Sequence, residues 1–127
     1  MTDMMHSFDL YTPTSVEETS KLLDKHGKNA WIVAGGKDSF DWFKDRHKRP
    51  SVVIDITGLK QLYGVHDKGS YISIGALTTL TELEENSLLQ KHFPVLTAAA
   101  GRVASPQIRN SGTIGGNVSQ DTRCTYY

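Results

Sequence analysis

Two pairs of consecutive glycines mark places where the backbone itself could bind an anion. The first pair lies in Ala34-Gly35-Gly36-Lys37-Asp38-Ser39, between an apolar run typical of a strand and a stretch with helical periodicity. Glycines let the chain bend so that successive peptide N–H groups point at one anion, and a phosphate or pyrophosphate is the natural ligand of such a turn. Lys37 could add a positive charge and Ser39 a hydroxyl. A strand-to-helix turn without a ligand remains the alternative, because short glycine motifs often match by chance.

The second pair lies in Thr113-Ile114-Gly115-Gly116-Asn117. Two anion-binding turns in a small domain suit a ligand with two phosphates better than a ligand with one, although this pair alone could form a structural turn or bulge. A third segment, Ile74-Gly75-Ala76-Leu77-Thr78-Thr79, ends a predicted strand with small and hydroxyl-bearing residues. A flat ring or a ribose could approach its backbone. The alternative for this segment is a strand end followed by a threonine that caps a helix.

Spacing and composition disfavour several other chemistries. Neither glycine pair fits G-x-G-x-x-G, and no G-x-x-x-x-G-K-[ST] phosphate loop is present. The 14 basic residues equal the 14 acidic residues, and no apolar run is long enough to span a bilayer. The 5 histidines lack metal-ligand spacing, and no nucleophile–histidine set can be nominated. We therefore expect a cytoplasmic protein with no catalytic side chain and with neither nucleic acid nor membrane as a partner.

The elements that would position these segments follow from local periodicity and turn chemistry. The first part of the chain predicts, in order, an extended segment at Phe8–Pro13, a helix opened by a capping box at Thr14–Glu17 and ended by Gly27, a strand at Trp31–Ala34, a helix at Asp38–Lys44 and a strand at Val52–Asp55. This is a small α/β subdomain over about residues 1–57, with a weak boundary near Thr57.

The remainder, about residues 58–127, predicts the beginning of a larger subdomain. Its predicted features are a hairpin with strands Tyr63–His66 and Tyr71–Ile74, a helix opened by a capping box at Thr79–Glu82, a core helix at Pro94–Val103 and a glycine-rich tail, Ser105–Tyr127, without helical periodicity.

Three motifs in succession resemble a known family. Ala34-Gly35-Gly36-x-Asp38 and Ile74-Gly75-Ala76-x-Thr78 are followed by Gln107-Ile108-Arg109-Asn110-x-Gly112-Thr113-Ile114-Gly115-Gly116-Asn117. This succession is similar to the FAD-binding subunit of molybdenum hydroxylases, which include xanthine and carbon monoxide dehydrogenases, and the similarity extends from Phe8 to Tyr127. The resemblance implies an α+β, partly α/β, FAD-binding fold of the PCMH type. A small βαβαβ subdomain would be followed by the start of a mixed or antiparallel sheet with helices.

The resemblance also implies a cofactor site, in which the first and last motifs hold the FAD pyrophosphate and the middle motif lies near the flavin. The implied cofactor-binding residues are Ala34, Gly35, Gly36, Lys37, Asp38, Ser39, Gly75, Ala76, Thr78, Thr113, Gly115, Gly116 and Asn117. Members of the family commonly have threonine where this chain has Lys37, and a leucine-led continuation where it has Ser39-Phe40. The side-chain contacts of the first turn therefore need not match those of the family.

The last residues, Asn117 to Tyr127, resemble the branch that includes 4-hydroxybenzoyl-CoA reductase, whose flavin subunits bind an additional four-iron four-sulfur cluster. Cys124 is the single cysteine and matches the first cluster ligand. A cluster of this type needs about four thiolates, so this chain cannot hold it alone. The resemblance implies the N-terminal fragment of a longer flavin subunit.

The function implied by the resemblance is electron transfer through flavin, between iron–sulfur centres and an external acceptor or donor. The implied partners are a molybdopterin-containing large subunit and an iron–sulfur small subunit. The fragment alone is expected to be inactive and to bind FAD weakly or not at all. The main alternative is a non-catalytic assembly domain that keeps the fold but has lost FAD, with Lys37 as its indication; a flavin oxidase of another branch is a third possibility.

Overall fold

The chain forms two compact units. The computed structural model describes residues 4–122 and 124–126. One unit ends at Tyr63 and the other begins at Gly64. The boundary suggested near Thr57 by the sequence precedes this division. Residues 1–3, Arg123 and Tyr127 lie outside the described residues, and the last two belong to the segment that resembles the cluster-bearing branch.

A three-stranded parallel sheet forms the centre of the first unit. Its strands are β1 (Asp9–Tyr11), β2 (Ala30–Val33) and β3 (Val52–Asp55), in the order β1-β3-β2. Parallel neighbours need crossover connections. Helices α1 (Val16–His26) and α2 (Ser39–Lys44) supply them. The predicted βαβαβ order is confirmed, and β2 begins and ends one residue earlier than its apolar run suggested.

Helix α1 is capped one residue later than predicted. Its cap is Ser15, whose Oγ accepts a hydrogen bond from the amide of Glu18. The Glu18 carboxylate accepts hydrogen bonds from the amide and the hydroxyl of Thr14. The prediction of a box from Thr14 to Glu17 was therefore wrong by one residue, because adjacent threonine and serine are both good caps. Gly27 ends the helix with a φ of 52°, as predicted.

The middle strand of the sheet, β3, contributes three buried residues to the first unit's core. Val52, Val53 and Ile54 are all buried, because a central parallel strand is covered on both faces. Phe43 of α2 is fully buried and packs with Val33 and Val53. This packing fixes the end of β2 relative to the start of α2, and so fixes the turn between them.

The second unit opens with the predicted hairpin, formed by β4 (Val65–Asp67) and β5 (Ile72–Ile74) in antiparallel pairing. The turn between the strands contains Gly69, which has a φ of 81°. The amide of Gly69 donates to the Asp67 carboxylate, a bond typical of turns that begin with aspartate.

Three consecutive helices follow the hairpin: α3 (Leu80–Glu85), α4 (Ser87–His92) and α5 (Pro94–Ala100). The capping box at Thr79 is confirmed, because the Glu82 amide donates to the Thr79 hydroxyl and the Thr79 amide donates to the Glu82 carboxylate. The core of this unit consists of Leu80, Leu83, Leu89 and Ala100. Helix α5 ends before the predicted Val103.

The tail contains more helix than the sequence suggested. Two short helices occupy it, α6 (Pro106–Arg109) and α7 (Ile114–Ser119). Each is capped by a hydroxyl, from Ser105 and Thr113 respectively. The sequence shows no helical periodicity here, because helices of 4 and 6 residues are too short to display it. None of the helices in the described residues has the length and apolarity needed to cross a membrane.

Candidate functional site

The first glycine turn joins β2 to α2 and leaves backbone donors uncommitted. Gly36 has a φ of 70°, a conformation that glycine adopts without steric cost. Its carbonyl accepts a hydrogen bond of 3.2 Å from the Phe40 amide, which closes the turn. Within residues 4–122, the amides of Gly35, Gly36 and Lys37 donate to no protein acceptor. Successive uncommitted donors on a glycine turn are a suitable environment for an anion.

Side chains on both sides of this turn hold it in place. The Phe40 ring lies against Gly36, where a Cβ would collide with it. Ser39 Oγ accepts a hydrogen bond of 3.0 Å from Trp31 Nε1. Lys37 is exposed, while Ala34, Gly35, Gly36, Asp38 and Ser39 are partly buried. The positive charge of Lys37 is therefore available to a ligand in solvent.

In the second unit, the two remaining motifs lie against each other. Thr79 and Thr113 form an antiparallel bridge. The Ile114 amide donates to the Thr78 carbonyl at 2.9 Å, and the Gly115 amide donates to the Ala76 carbonyl at 2.8 Å. Two segments far apart in sequence are thus joined backbone to backbone.

Close approach explains why position 115 requires glycine. A Cβ on Gly115 would lie 2.8 Å from the Ala76 carbonyl oxygen and 2.9 Å from the Ala76 Cβ. Both distances are shorter than side-chain atoms tolerate, so only a residue without a Cβ permits this contact.

The second glycine pair does not form the open turn that its sequence suggested. Gly115 and Gly116 lie in the first turn of α7, and all four amides from Ile114 to Asn117 have protein acceptors. The amides of Gly116 and Asn117 donate to the Thr113 hydroxyl and carbonyl, respectively. The expectation of a second set of free amides was therefore wrong. In this segment Gly116 is exposed, whereas Ile114, Gly115 and Asn117 are partly buried.

Two threonines expected at the cofactor are buried. Thr78 is 1% exposed, and its hydroxyl accepts from the Gly64 amide at 3.0 Å and donates to the Gly64 carbonyl at 3.2 Å. Thr113 is 8% exposed, and its hydroxyl caps α7. Both hydroxyls are engaged within the protein, so they fix the backbone of their segments. Gly75 is partly buried and also bonds to Gly64, whereas Ala76 is exposed.

Arg109 and Asn110 belong to the longest motif, but sequence reasoning assigned them no structural role. Arg109 has 14% of its side chain exposed; its Nη1 donates to the Val103 carbonyl at 2.9 Å and its Nε lies 3.8 Å from the Glu84 carboxylate. Asn110 Oδ1 accepts a hydrogen bond of 2.7 Å from the Thr81 hydroxyl. These contacts anchor the residues before Thr113 to α3 and to the segment that follows α5. The feature of the sequence that could have indicated this role is an arginine inside an unusually long motif.

Cys124 is exposed and unpaired. Among residues 4–122 and 124–126, no group of three or more histidine, cysteine or acidic side chains could hold a metal ion. The prediction that Cys124 ligates a cluster therefore stays a prediction, and the chain itself provides one thiolate for it.

A parallel βαβαβ unit with an open glycine turn after its second strand is typical of domains that bind phosphate-containing cofactors. A sequence profile described as "FAD binding domain in molybdopterin dehydrogenase" matches residues 6–124. The chain belongs to this family, and its cofactor is FAD. The turn at Gly35–Lys37 fits that cofactor, because pyrophosphate oxygens are acceptors for its amides.

Named relatives and solved structures agree with this assignment. The nicotinate dehydrogenase FAD-subunit of Eubacterium barkeri is 42% identical over 116 residues, which cover 91% of this chain and 39% of the relative. The carbon monoxide dehydrogenase medium chain of Hydrogenophaga pseudoflava is 38% identical over 112 residues, which cover 88% of this chain and 39% of that one.

The solved structure of the Hydrogenophaga pseudoflava carbon monoxide dehydrogenase matches with a TM-score of 0.88 and 36% identity, over 91% of this chain and 40% of the other. The family and fold expected from the resemblance are confirmed. The chain spans about two fifths of the length of these relatives.

Proposed function

We propose that this chain is a flavin-binding electron-transfer module in which the amides of Gly35, Gly36 and Lys37 bind the pyrophosphate of FAD. The observation that carries the proposal is the run of uncommitted amides on the turn after β2, in a chain of a FAD-binding family. FAD supplies the electron-transfer chemistry when bound, and the protein supplies binding and orientation. Ala34 and Asp38 frame the turn, and Ser39 adds a hydroxyl beside it.

In the second unit, we assign the roles from exposure and, among the partly buried residues, from whether a side chain is present that could reach a ligand. Ala76 and Gly116 are exposed and Asn117 is partly buried, so these residues offer surface to the cofactor. Gly75, Thr78, Thr113 and Gly115 are proposed to hold that surface in shape, because their polar groups bond within the protein. This divides the implied cofactor residues into contacting and supporting groups.

The proposed physiological role is to pass electrons between iron–sulfur centres and an external acceptor or donor. The proposed partners are a molybdopterin-containing large subunit and an iron–sulfur small subunit. Support comes from relatives named as a medium chain and as the alpha subunit of a dehydrogenase complex. An assembly domain without FAD is not favoured, because the matching family is FAD-binding and the turn at Lys37 keeps its free amides.

A hybrid subunit tests FAD binding. In the Hydrogenophaga pseudoflava medium chain, the 112 matching residues are replaced by the corresponding residues of this chain, and FAD is titrated while flavin absorbance and fluorescence are followed. We expect saturable binding by the hybrid and weaker binding by the 127-residue chain alone. The natural medium chain is the positive control, and Gly36→Val in the hybrid should weaken binding roughly tenfold or more, because strained amides lose their common direction. A hybrid that folds but does not bind FAD contradicts the proposal.

A further inference from the structure

We infer that Trp31 is a positioning residue for the anion-binding turn, acting through Ser39; this inference rests on the proposed function. Trp31 lies in β2, before the turn, and Ser39 is the first residue of α2, after it. The hydrogen bond of 3.0 Å between Trp31 Nε1 and Ser39 Oγ is partly buried. It therefore ties together the two ends of the segment that carries the free amides.

The direction of this hydrogen bond is fixed by chemistry. An indole nitrogen can only donate, whereas a serine hydroxyl can accept and donate at once. Trp31 thus uses an acceptor site of Ser39, and within residues 4–122 the Ser39 hydroxyl donates to no protein acceptor. Its own hydrogen remains available for a ligand oxygen. A hydroxyl that accepts one hydrogen bond becomes a stronger donor in the next, which favours an anion.

The indole that makes this bond is itself held by a cluster of rings. The centroid of the Trp31 ring lies 5.9 Å from that of Trp42 and 6.0 Å from that of Phe43, and both contacts have edge-to-face geometry. Lys48 Nζ lies over the Trp31 ring, 5.7 Å from its centroid. Phe43 is fully buried, so the cluster is anchored in the core. A donor whose rotamer is locked by packing holds its partner in a defined place, as cofactor sites require.

The test uses the full chain, labelled with ¹⁵N, and inorganic pyrophosphate as the probe. NMR spectra report the amides of Gly35, Gly36 and Lys37 and the indole N–H of each of the 2 tryptophans. We expect pyrophosphate to shift these three amides in the unsubstituted chain. Ser39→Ala should weaken pyrophosphate binding about tenfold, because it removes a charge-assisted hydrogen bond from the hydroxyl to the anion. Trp31→Phe should weaken binding about threefold, because it removes the neutral hydrogen bond from the indole to Ser39.

The pairing of the two residues is tested by a double-mutant cycle. Trp31→Phe should have no further effect on affinity in the Ser39→Ala background, because Trp31 acts only through the hydroxyl. Ser39→Thr, which keeps the hydroxyl, should bind nearly as well as the unsubstituted chain. Trp42→Phe is the matched control: it replaces the other indole of the same cluster by a phenyl ring and leaves the bond from Trp31 to Ser39 in place, so affinity should not change.

Several outcomes would overturn the inference. Trp31→Phe that lowers stability but leaves pyrophosphate affinity unchanged would show a packing role alone. If Trp31→Phe does not fold, Ser39→Ala decides, because hydrogen exchange of the Trp31 indole N–H must then become faster, and unchanged exchange contradicts the bond. If pyrophosphate shifts none of the amides of Gly35, Gly36 and Lys37 in the unsubstituted chain although the hybrid subunit binds FAD, the positioning role is overturned and the proposed function stands. If the hybrid subunit also fails to bind FAD, the proposed function is contradicted, and the positioning role with it.

Discussion

The two glycine pairs of this chain differ in backbone conformation and in the hydrogen bonds that their amides make. At Gly35-Gly36, the second glycine has a positive φ, and neither amide has an acceptor among the residues that the structure describes. At Gly115-Gly116, the backbone lies in a helix, and every amide from Ile114 to Asn117 is bonded within the protein. The first pair therefore leaves hydrogen-bond donors available, which we propose bind the ligand, while the second allows two segments of one unit to touch.

The role of a glycine pair can therefore be assigned only when the hydrogen-bond partners of its amides are known. Both pairs belong to motifs of a FAD-binding family, yet substitution at one should affect mainly ligand affinity and substitution at the other mainly stability.

The largest effect is expected for Gly115→Ala. The new Cβ would lie 2.8 Å from the Ala76 carbonyl oxygen, and relief of that contact requires the loss of a backbone hydrogen bond. We expect a loss of about 3 kcal/mol in the free energy of unfolding, measured by urea denaturation. Gly116→Ala is the control, because its Cβ would lie 3.2 Å from the Thr113 hydroxyl at an exposed site and alanine favours helix. Equal losses for the two variants would contradict the close-contact role of Gly115.

A smaller loss is expected when the hydroxyl of Thr78 is removed. Thr78→Val keeps the shape of a fully buried side chain but leaves the Gly64 amide without its acceptor. The Gly64 carbonyl still accepts a hydrogen bond from the Gly75 amide, so the Gly64 amide is the one backbone group that loses its partner. The cost should be about 2 kcal/mol in thermal or urea unfolding. Thr78→Ser, which keeps the hydroxyl, should cost about half as much; the reverse order would show that the methyl group, not the bond, matters.

Gly36→Ala should affect both stability and binding. A φ of 70° costs an alanine about 1 kcal/mol, and its Cβ would also press against the Phe40 ring. The double variant Gly36→Ala/Phe40→Ala removes the collision and leaves the backbone strain. We expect both variants to lose pyrophosphate binding in NMR titrations, because the direction of the free amides depends on the turn. Full affinity in the double variant would show that the positive φ is not required.

Sequence reasoning succeeded where the signals are local. The strand Val52–Asp55 was placed correctly because its apolar run is bounded by turn residues, and the capping box at Thr79 was found because both partners lie within one turn. The family motif then identified the cofactor. Contacts between distant segments were not predictable, since nothing local in Gly115 records that Ala76 will lie against it.

The same limit explains the errors near the site. Helix α7 has only 6 residues, so its glycines were interpreted as a turn. The amides of Ile114 and Gly115 are not free, because they donate to the carbonyls of Thr78 and Ala76, which are distant in sequence. The bond from Trp31 to Ser39 joins residues eight positions apart across a turn, a spacing that no secondary-structure period predicts. Tertiary hydrogen bonds and the shortest helices are what the sequence left undetermined.

The smallest effect, and the one that separates the proposed function from its rival, is expected for Lys37→Thr. Lys37 is exposed and its substitution should leave the free energy of unfolding within about 0.5 kcal/mol. If the chain binds FAD, removing this charge should weaken pyrophosphate binding roughly threefold at low salt, and the difference should shrink as salt screens it. Lys28→Ala is the control, an exposed lysine before β2 rather than after it, and should not change affinity. If Lys37 instead marks a cofactor site that has been lost, threonine should increase affinity, because the side chain rather than the backbone would be what obstructs the anion.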